Sequence, residues 1–311
     1  MTNLLIPLIN MLLVLIAAPG MVGFVRMLKA RLQNRYGAPW YLPYLNLASL
    51  LRKEMTITKN SSWVFHAVPA VVLSLSVALA FLIPAAFVGG LGLNSIFLVS
   101  ALLALSSIFL VFGGMDTGSA FGNMGSSREM TLAALVEPAL VVSLVTLGVI
   151  AGSWHLDGIT AHFLAVPWYM GAPYVAVTFV AFFFVLLSEN ARYPVDNPAT
   201  HLELTMVHEA MLLEYSGVYL AMLEYASAIK LTVLSAFLAL LIAPLGTSGF
   251  TALGGVATLA AFVAKVIVVA CAIALVETLI VKMRFYRMQE YMTLAFLISF
   301  AGLLAAVLFA L

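Results

Sequence analysis

The sequence predicts an all-α integral membrane protein with about eight transmembrane helices, one cytoplasmic amphipathic helix and both termini outside. Of its 311 residues, 64% are hydrophobic and only 9% are charged, and the mean hydropathy is +1.13. A soluble domain of this size needs a more charged surface, whereas a lipid bilayer favours such a composition. We therefore expect residues 1–311 to form a single membrane domain.

Eight apolar runs are long enough to be interpreted as transmembrane helices. They cover approximately residues 3–25, 64–88, 95–113, 129–152, 170–189, 218–244, 255–281 and 289–311. No basic segment precedes the first run, and Arg26, Lys29 and Arg31 follow it directly. This pattern is typical of a retained first helix and not of a cleaved signal.

The basic residues are distributed unevenly between the two sides of this arrangement. Twelve of the 14 Lys and Arg residues fall in loops that would share one side, and the other two, Lys230 and Lys265, lie within apolar runs. Loops rich in Lys and Arg tend to remain in the cytoplasm. The long loops are therefore predicted to be cytoplasmic and both termini to lie outside.

The loop at 26–62 is long enough to carry structure of its own. Five leucines between residues 42 and 51, followed by Arg52, Lys53 and Glu54, predict a short amphipathic helix at the membrane surface. Pro39 and Pro43 are placed to define where this helix begins.

Charge and cysteine content exclude two kinds of function. The net charge of +1 provides no basic excess to neutralise the phosphates of a nucleic acid. Cys271 is the only cysteine, so this chain cannot ligate an iron–sulfur cluster by itself. Because Cys271 lies in an apolar run, we expect a buried and unreactive thiol.

Titratable residues are concentrated in the stretch 188–217. It holds five of the 13 acidic residues and two of the five histidines: Glu189, Asp196, Glu203, Glu209, Glu214, His201 and His208. Pro194 and Pro198 predict an extended connection over 190–199. A helix over 201–215 would place Glu203 and Glu214 within about 20° of each other and the two histidines on another face.

The surroundings of these acids decide between two interpretations. A solvated cytoplasmic loop is the simpler one. Met206, Met211, Leu212 and Leu213 are interleaved with the acids, however, which indicates a segment packed among helices or against a partner. Buried carboxylates need a partner or a proton, so the functional interpretation is favoured.

A zinc protease is excluded by one position. His208 and Glu209 begin like the zinc-binding pattern His-Glu-x-x-His. Position 212 is leucine, so the second ligand one turn later is missing. We expect no metal site in this chain.

Four more ionisable residues lie at membrane depth: Glu137, Glu224, Lys230 and Lys265. A charge at such depth costs about 2.5–3.5 kcal/mol on the insertion scale, so each must pair, face water or be neutral. For the lysines, an ion pair that stabilises packing and a functional role both remain open. For Glu224 and for Glu137, expected about two turns into its helix, proton transfer is favoured.

Several segments together form a specific signature. They are Gln33-Asn34-Arg35-Tyr36-Gly37 with Leu50-Leu51-Arg52-Lys53-Glu54, the run from Leu187 to Asp196, Glu214-Tyr215-Ser216-Gly217, and Glu224-Tyr225-Ala226. Through these motifs essentially the whole chain resembles the respiratory complex I subunit 1 family. One departure is Ala38, which separates Gly37 from Pro39 in a segment that resembles the family's arginine-glycine-proline motif.

Other segments resemble one branch of this family, the membrane subunits of membrane-bound nickel–iron hydrogenases and formate hydrogenlyase. Glu203 and Glu214 are eleven residues apart, a longer spacing than complex I chains usually have. The sequence from Asn197 to Thr205 is also similar to the hydrogenase branch, as are Asp116-Thr117-Gly118-Ser119 and the run from Gly125 to Glu129. The hydrogenase branch is therefore favoured over a quinone-reducing complex.

The resemblance implies a multi-pass subunit of an oxidoreductase complex in the inner (cytoplasmic) membrane, with no redox centre of its own. A nickel–iron centre and iron–sulfur clusters would lie in partner subunits. These partners would be the hydrophilic hydrogenase large and small subunits and an iron–sulfur protein, joined by antiporter-like membrane subunits. Electron transfer at the cytoplasmic loops would be coupled to proton or sodium translocation through buried glutamates.

Two groups of site residues follow from the residues and the resemblance together. The expected translocation pathway consists of Glu137, Glu189, Glu203, Glu209, Glu214, Glu224, Lys230 and Lys265. The residues expected to dock or couple the soluble arm are Arg35, Lys53, Glu54, Asp116, Arg128, Arg192, Asp196, His201 and His208. No catalytic, cofactor-binding or metal-binding residue is expected.

Three other functions compete with this interpretation. The first is the quinone-site subunit of a respiratory NADH:quinone oxidoreductase, in the same family. The second is a stand-alone ion-coupled transporter, although the two halves show no inverted repeat of the kind common in transporters. The third is a structural anchor in which the buried acids have no role.

Overall fold

A computed structural model describes residues 2–58, 61–89, 92–166, 173–196, 207–243, 252–280 and 285–310. The helices in these ranges are α1 (Thr2–Leu32), α2 (Leu42–Arg52), α3 (Trp63–Leu82), α4 (Ile96–Asp116), α5 (Ala120–Ala151), α6 (Leu156–Ala165), α7 (Pro173–Glu189), α8 (His208–Leu212), α9 (Gly217–Ile242), α10 (Ala252–Leu279) and α11 (Phe285–Ala310).

Seven of the described helices are long and apolar enough to cross a membrane: α1, α3, α4, α5, α9, α10 and α11. The apolar helix α7 has 17 residues. Its length is therefore about 26 Å, slightly less than a hydrocarbon core of about 30 Å. The prediction of an all-α membrane protein is confirmed, with one of the eight predicted spans a shorter helix.

The predicted amphipathic helix is also present, as α2. Pro43 lies in its first turn, where a missing backbone N–H costs nothing. No residue of α2 is buried within the chain, and Leu45 and Leu51 are 56% and 57% exposed. The apolar face of α2 is thus available to a membrane surface or a partner.

Several predicted helix bounds were wrong. Helix α1 continues to Leu32, where an end at 25 was predicted, and α3 ends at Leu82, where an end at 88 was predicted. Helix α5 begins at Ala120, nine residues before the predicted start, because the polar segment after Ser119 is capped by the Ser119 hydroxyl and continues as helix. Glu137 therefore lies about five turns into its helix, where two were expected. Of the helix predicted over 201–215, residues 201–206 lie outside the described ranges. In the remainder only α8 is helical, and Glu214 lies in the turn after it.

The prediction for Cys271 was wrong as well. The thiol was expected to be buried, but Cys271 is exposed on α10. In a membrane protein, an apolar residue can face lipid at no cost, so its position in an apolar run did not indicate burial within the chain.

Helix α9 forms the core of the bundle. The most apolar window of α9 is 78% buried inside the chain, whereas the other long helices reach at most 44%. It packs against α1, α2, α3, α7 and α10. Most of the apolar part of α9 is therefore held among other helices and away from lipid.

The helix ends gather at two opposite faces of the bundle. At one face, here called the loop face, the long segments are joined by hydrogen bonds: the Ser62 hydroxyl donates to Asp116 at 2.6 Å, and the Thr58 hydroxyl donates to Glu214 at 3.2 Å. At the other face, the Leu156 N–H donates to the Asn94 carbonyl at 2.9 Å. Successive connections between the long helices thus lie at opposite faces, which agrees with the predicted grouping of the basic loops on one side.

A buried ion cluster holds the loop face together. Glu277, near the end of α10, is 4% exposed and pairs with two cations. Its carboxylate oxygens lie 3.1 Å from the Lys29 Nζ at the end of α1 and 3.2 Å from Arg192 in the segment after α7. The Lys29 ammonium also lies over the ring of Tyr193, 4.2 Å from its centre. One carboxylate thus connects three separate parts of the chain.

The sidedness of the bundle can be tested with single cysteines in a Cys271→Ser background. Gln33 at the loop face and His155 at the opposite face are both exposed. We expect a membrane-impermeant maleimide to label Gln33→Cys only from the cytoplasmic side of sealed vesicles and His155→Cys only from the other side. Labelling of both positions from one side would contradict the predicted topology.

Removing the charge of Glu277 should destabilise the loop face. A Glu277→Gln change leaves Lys29 and Arg192 without their anion, and breaking a buried pair in this way costs about 3–5 kcal/mol. We expect a lower unfolding temperature of the purified chain and faster proteolysis of the loop-face segments. Glu290→Gln is the matched control, since Glu290 is exposed on α11. Equal stability of the two variants would show that the cluster contributes nothing.

Candidate functional site

A charged cleft opens at the loop face. It lies among α1, α2, α8, α9 and the segment after α7. Its ionisable lining residues are Arg26, Arg192, Asp196, His208, Glu209 and Glu224. Helix α1 supplies Arg26 and α9 supplies Glu224, so opposite charges from two membrane helices face the same space.

Three further pockets lie deeper in the bundle and share lining residues with the cleft or with one another. The first shares Asn190 and His208 with the cleft and is also lined by Glu129, Glu189 and Lys230. The second is again lined by Glu129 and Glu189. The third is lined by both Glu189 and Glu137. We call the series formed by Glu224, His208, Glu129, Glu189, Lys230 and Glu137 the acid track.

Glu189 and Lys230 form the ion pair at the centre of the acid track. The Lys230 Nζ lies 2.7 Å from a Glu189 carboxylate oxygen, and the two side chains are 6% (Glu189) and 15% (Lys230) exposed. This pairing satisfies the requirement that a charge at membrane depth be compensated. Glu189 also borders all three inner pockets, and Lys230 borders the first of them.

His208 lines both the cleft and the first of the inner pockets. The backbone N–H groups of Val207 and His208 both donate to the Asp196 carboxylate at 3.2 Å, which holds the start of α8 in place. Burial lowers the pKa of His208 to about 4. The positive charge of Lys230 acts in the same direction, and the negative charge of Asp196 opposes it. The imidazole is therefore neutral at pH 7. A neutral imidazole can accept a proton at one nitrogen while donating one from the other.

The local chain path explains how Asp196 reaches α8. Helix α7 ends in a turn with Ala191 at φ +47°, and the Arg192 N–H donates back to the Leu187 carbonyl at 2.8 Å. This bond is typical of a helix C-terminal cap. The Arg192 carbonyl then accepts the N–H of Asp196 at 3.2 Å, so the Glu277 cluster and the Asp196 contact belong to one compact segment.

Other predicted pathway residues lie in different surroundings. Glu209 lines the cleft, and Glu214 accepts a hydrogen bond from Thr58 at the loop face. Lys265 lies in the middle of α10 and lines none of the pockets named here. Glu203 and His201 lie outside the described residues.

The predicted docking residues separate into two groups. Arg35, Lys53 and Glu54 are exposed at the loop face, and Arg128 is half-buried on α5. Asp116 instead caps α3, because it accepts the N–H groups of Ser62 at 2.8 Å and Phe65 at 3.3 Å. Arg192 is 7% exposed and bound to Glu277, and Asp196 is 2% exposed. Both Asp116 and Arg192 are thus bound within the chain, and their contact with a soluble partner stays a prediction.

Sequence reasoning missed two acids. Glu129 was treated as the edge of a span, although α5 begins nine residues earlier and places Glu129 in the acid track. Glu277 was treated as part of an apolar run, and its partners are 85 and 248 residues away in sequence. An acid inside an apolar run is itself a signal, because such a residue needs a partner or a proton.

The site contains groups suited to proton exchange. The carboxylates of Glu129 and Glu189, the imidazole of His208 and the hydroxyls of Ser76, Ser106 and Ser107 line one pocket. Among the described residues, no group of three or more His, Cys, Asp or Glu side chains is placed to hold a metal ion. The chemistry that this arrangement can perform is the transfer of protons, or the passage of a small cation, between neighbouring carboxylates.

Known proteins of similar sequence include components of bacterial membrane complexes. Hydrogenase-4 component C of Escherichia coli (strain K12) is 30% identical over 291 residues, which cover 91% of this chain and 90% of that protein. Formate hydrogenlyase subunit 4 of the same strain is 31% identical over 285 residues, covering 91% and 92%. A component of the NADH-quinone oxidoreductase of Anaplasma phagocytophilum (strain HZ) is 27% identical over 241 residues, covering 70% and 69%.

The fold is also found in a solved structure. A chain of the membrane-bound sulfane sulfur reductase, an archaeal respiratory membrane complex, superposes with a TM-score of 0.83 over 98% of this chain and 100% of that chain. The two sequences are only 18% identical, so the likeness concerns the fold.

The family assignment rests on the length of the match. The NADH dehydrogenase family matches residues 4–310, almost the whole chain. The resemblance inferred from the motifs is thus confirmed. This chain belongs to the NADH dehydrogenase subunit 1 family.

Proposed function

We propose that this chain is the membrane subunit of a membrane-bound nickel–iron hydrogenase-type complex in the inner membrane. It anchors a cytoplasmic redox arm and couples electron transfer to proton or sodium translocation. The observation that carries the proposal is the acid track, which connects a cleft at the loop face with Glu137 inside the bundle. Similarity to hydrogenase-4 component C and formate hydrogenlyase subunit 4 favours this branch of the family.

The surface around α2 supports docking of a soluble arm. Large apolar side chains are exposed there beside Arg35, Lys53 and Glu54: Tyr36, Trp40, Tyr41, Leu45, Leu51 and Met55. Exposed apolar patches rimmed by polar residues mark interaction sites. The soluble partners are the hydrogenase large and small subunits and an iron–sulfur protein, which hold the nickel–iron centre and the clusters. Antiporter-like membrane subunits complete the complex.

The coupling step is proposed to begin in the cleft. When an electron reaches the docked arm, the added negative charge favours uptake of a proton by nearby carboxylates. Glu224 and Glu209 accept the proton in the cleft, and neutral His208 passes a proton on to Glu129. Protonation of Glu189 then neutralises the partner of Lys230 and allows transfer towards Glu137. A sodium ion would use the same carboxylates as ligands in place of the proton.

A second candidate is the quinone-site subunit of an NADH:quinone oxidoreductase. The cleft is compatible with it, because apolar side chains and a few charged groups, Arg26 and Glu224 among them, face the same space, as in sites that bind small molecules. Similarity to the NADH-quinone oxidoreductase component points the same way. The two candidates differ in the metals of the complex and in its response to quinone-site ligands.

The composition of the native complex distinguishes these functions. A complex purified through a tag on this chain should contain hydrophilic iron–sulfur subunits and nickel, and it should show hydrogenase activity that does not require quinone. Metal analysis and subunit identification by mass spectrometry are the measurements. Inhibition by a quinone-site ligand in a preparation without nickel would favour the second candidate. The chain alone, active in vesicles, would support a stand-alone transporter.

Removal of a single titrating group tests the acid track. Glu137→Gln keeps the size of the side chain but cannot carry a proton. We expect the complex to assemble and the ion gradient formed per turnover to fall about tenfold or more, because transfer past the missing carboxyl is blocked. Glu54→Gln is the control, since Glu54 is an exposed loop residue. A full gradient at full turnover in the Glu137 variant would show that this carboxyl is structural.

A further inference from the structure

Lys265 is a charged residue in the middle of a membrane-spanning helix. Helix α10 runs from Ala252 to Leu279, and Lys265 lies 13 residues after its start. At 1.5 Å per residue, Lys265 is about 20 Å from either end of the helix. Lysine side chains reach the membrane surface only from near helix ends, so a headgroup at the surface is out of reach.

This chain supplies no partner for Lys265 in the part that the structure describes. Of the 13 acidic residues, all but Glu203 lie in the described ranges. Within the described residues, Glu277 pairs with Lys29 and Arg192, and Glu189 pairs with Lys230. Lys265 thus differs from these three paired basic residues, because its compensating charge must come from outside the described residues.

The position of Lys265 on α10 indicates where that charge would come from. Phe262, Val266 and Val269 are buried against the bundle, whereas Lys265 is half-buried at the edge of this face. Beside it, the outer face exposes small residues, Ala257, Ala264 and Ala272, and Val268 is 67% exposed. Small residues allow the backbone of a second helix to approach closely within a membrane.

We propose that this outer face of α10, defined by Ala257, Ala264, Val268 and Ala272, binds a transmembrane helix of another membrane subunit, and that Lys265 pairs there with an Asp or Glu of that helix. The choice of partner follows from charge complementarity at membrane depth, where an unpaired ammonium is unfavourable and a carboxylate is the matching group. The inference rests on the proposed function only in that the second subunit belongs to the same complex. Lys265 is thereby an interface residue, separate from the acid track.

The test is photo-crosslinking in the intact complex. A photoreactive amino acid at Val268 should form an adduct with a second membrane subunit, identified by mass spectrometry. The Lys265→Met change removes the charge but keeps an unbranched chain, and we expect the adduct yield to fall about tenfold, as for loss of one partner of a buried pair. Lys265→Arg should retain the adduct. A photoreactive residue at Leu297, 63% exposed on α11, is the control and should be unaffected by Lys265→Met.

Charge reversal completes the test. Lys265→Glu should abolish the adduct, and replacing the carboxylate of the crosslinked helix by Lys should restore it. Adducts with lipid alone, or equal adduct yields in the wild-type and Lys265→Met complexes, would overturn the proposal. If instead the proposed function is wrong, the hydrophilic hydrogenase subunits would be missing from the preparation even where the Val268 adduct forms.

Discussion

The ion cluster of Glu277 with Lys29 and Arg192 is the interaction on which the candidate site depends. Three segments that are distant in sequence meet at one carboxylate, with both pairs at 3.2 Å or less. Arg192 begins the segment that carries Asp196, and Asp196 accepts the N–H of His208 at 3.2 Å. The position of the imidazole between the cleft and the inner pockets therefore depends on an acid at the end of another helix.

Compensated charges allow this bundle to place titratable groups deep among apolar helices. Lys230 and Glu189 neutralise each other beside the first of the inner pockets. The cost of desolvating two ions is large, and such pairs contribute little net stability compared with apolar packing. Their presence in the buried region around α9 is therefore better explained by function than by folding. Lys265 follows the same physical rule with its partner outside the described residues.

The cleft and the acid track place different demands on what enters them. The cleft is lined by charged groups that include Arg26, Glu209 and Glu224. The track behind it requires only protons or small cations. Coupling through the track can thus operate with either type of redox partner, because it responds to a change of charge near the cleft and not to the identity of the electron acceptor.

The sequence by itself determined the membrane class, the order of the apolar helices, α2 and the family, because composition, local periodicity and contiguous motifs carry this information. The tertiary structure alone decided that Asp116 caps α3, that Arg192 is buried, that Glu129 and Glu277 belong to the site, and that Lys265 lies apart. Ion pairs join residues 85 and 248 positions apart, and no local pattern encodes such a pairing. Within a membrane, an apolar surface is as stable against lipid as against protein, so hydropathy cannot distinguish an inward face from an outward one.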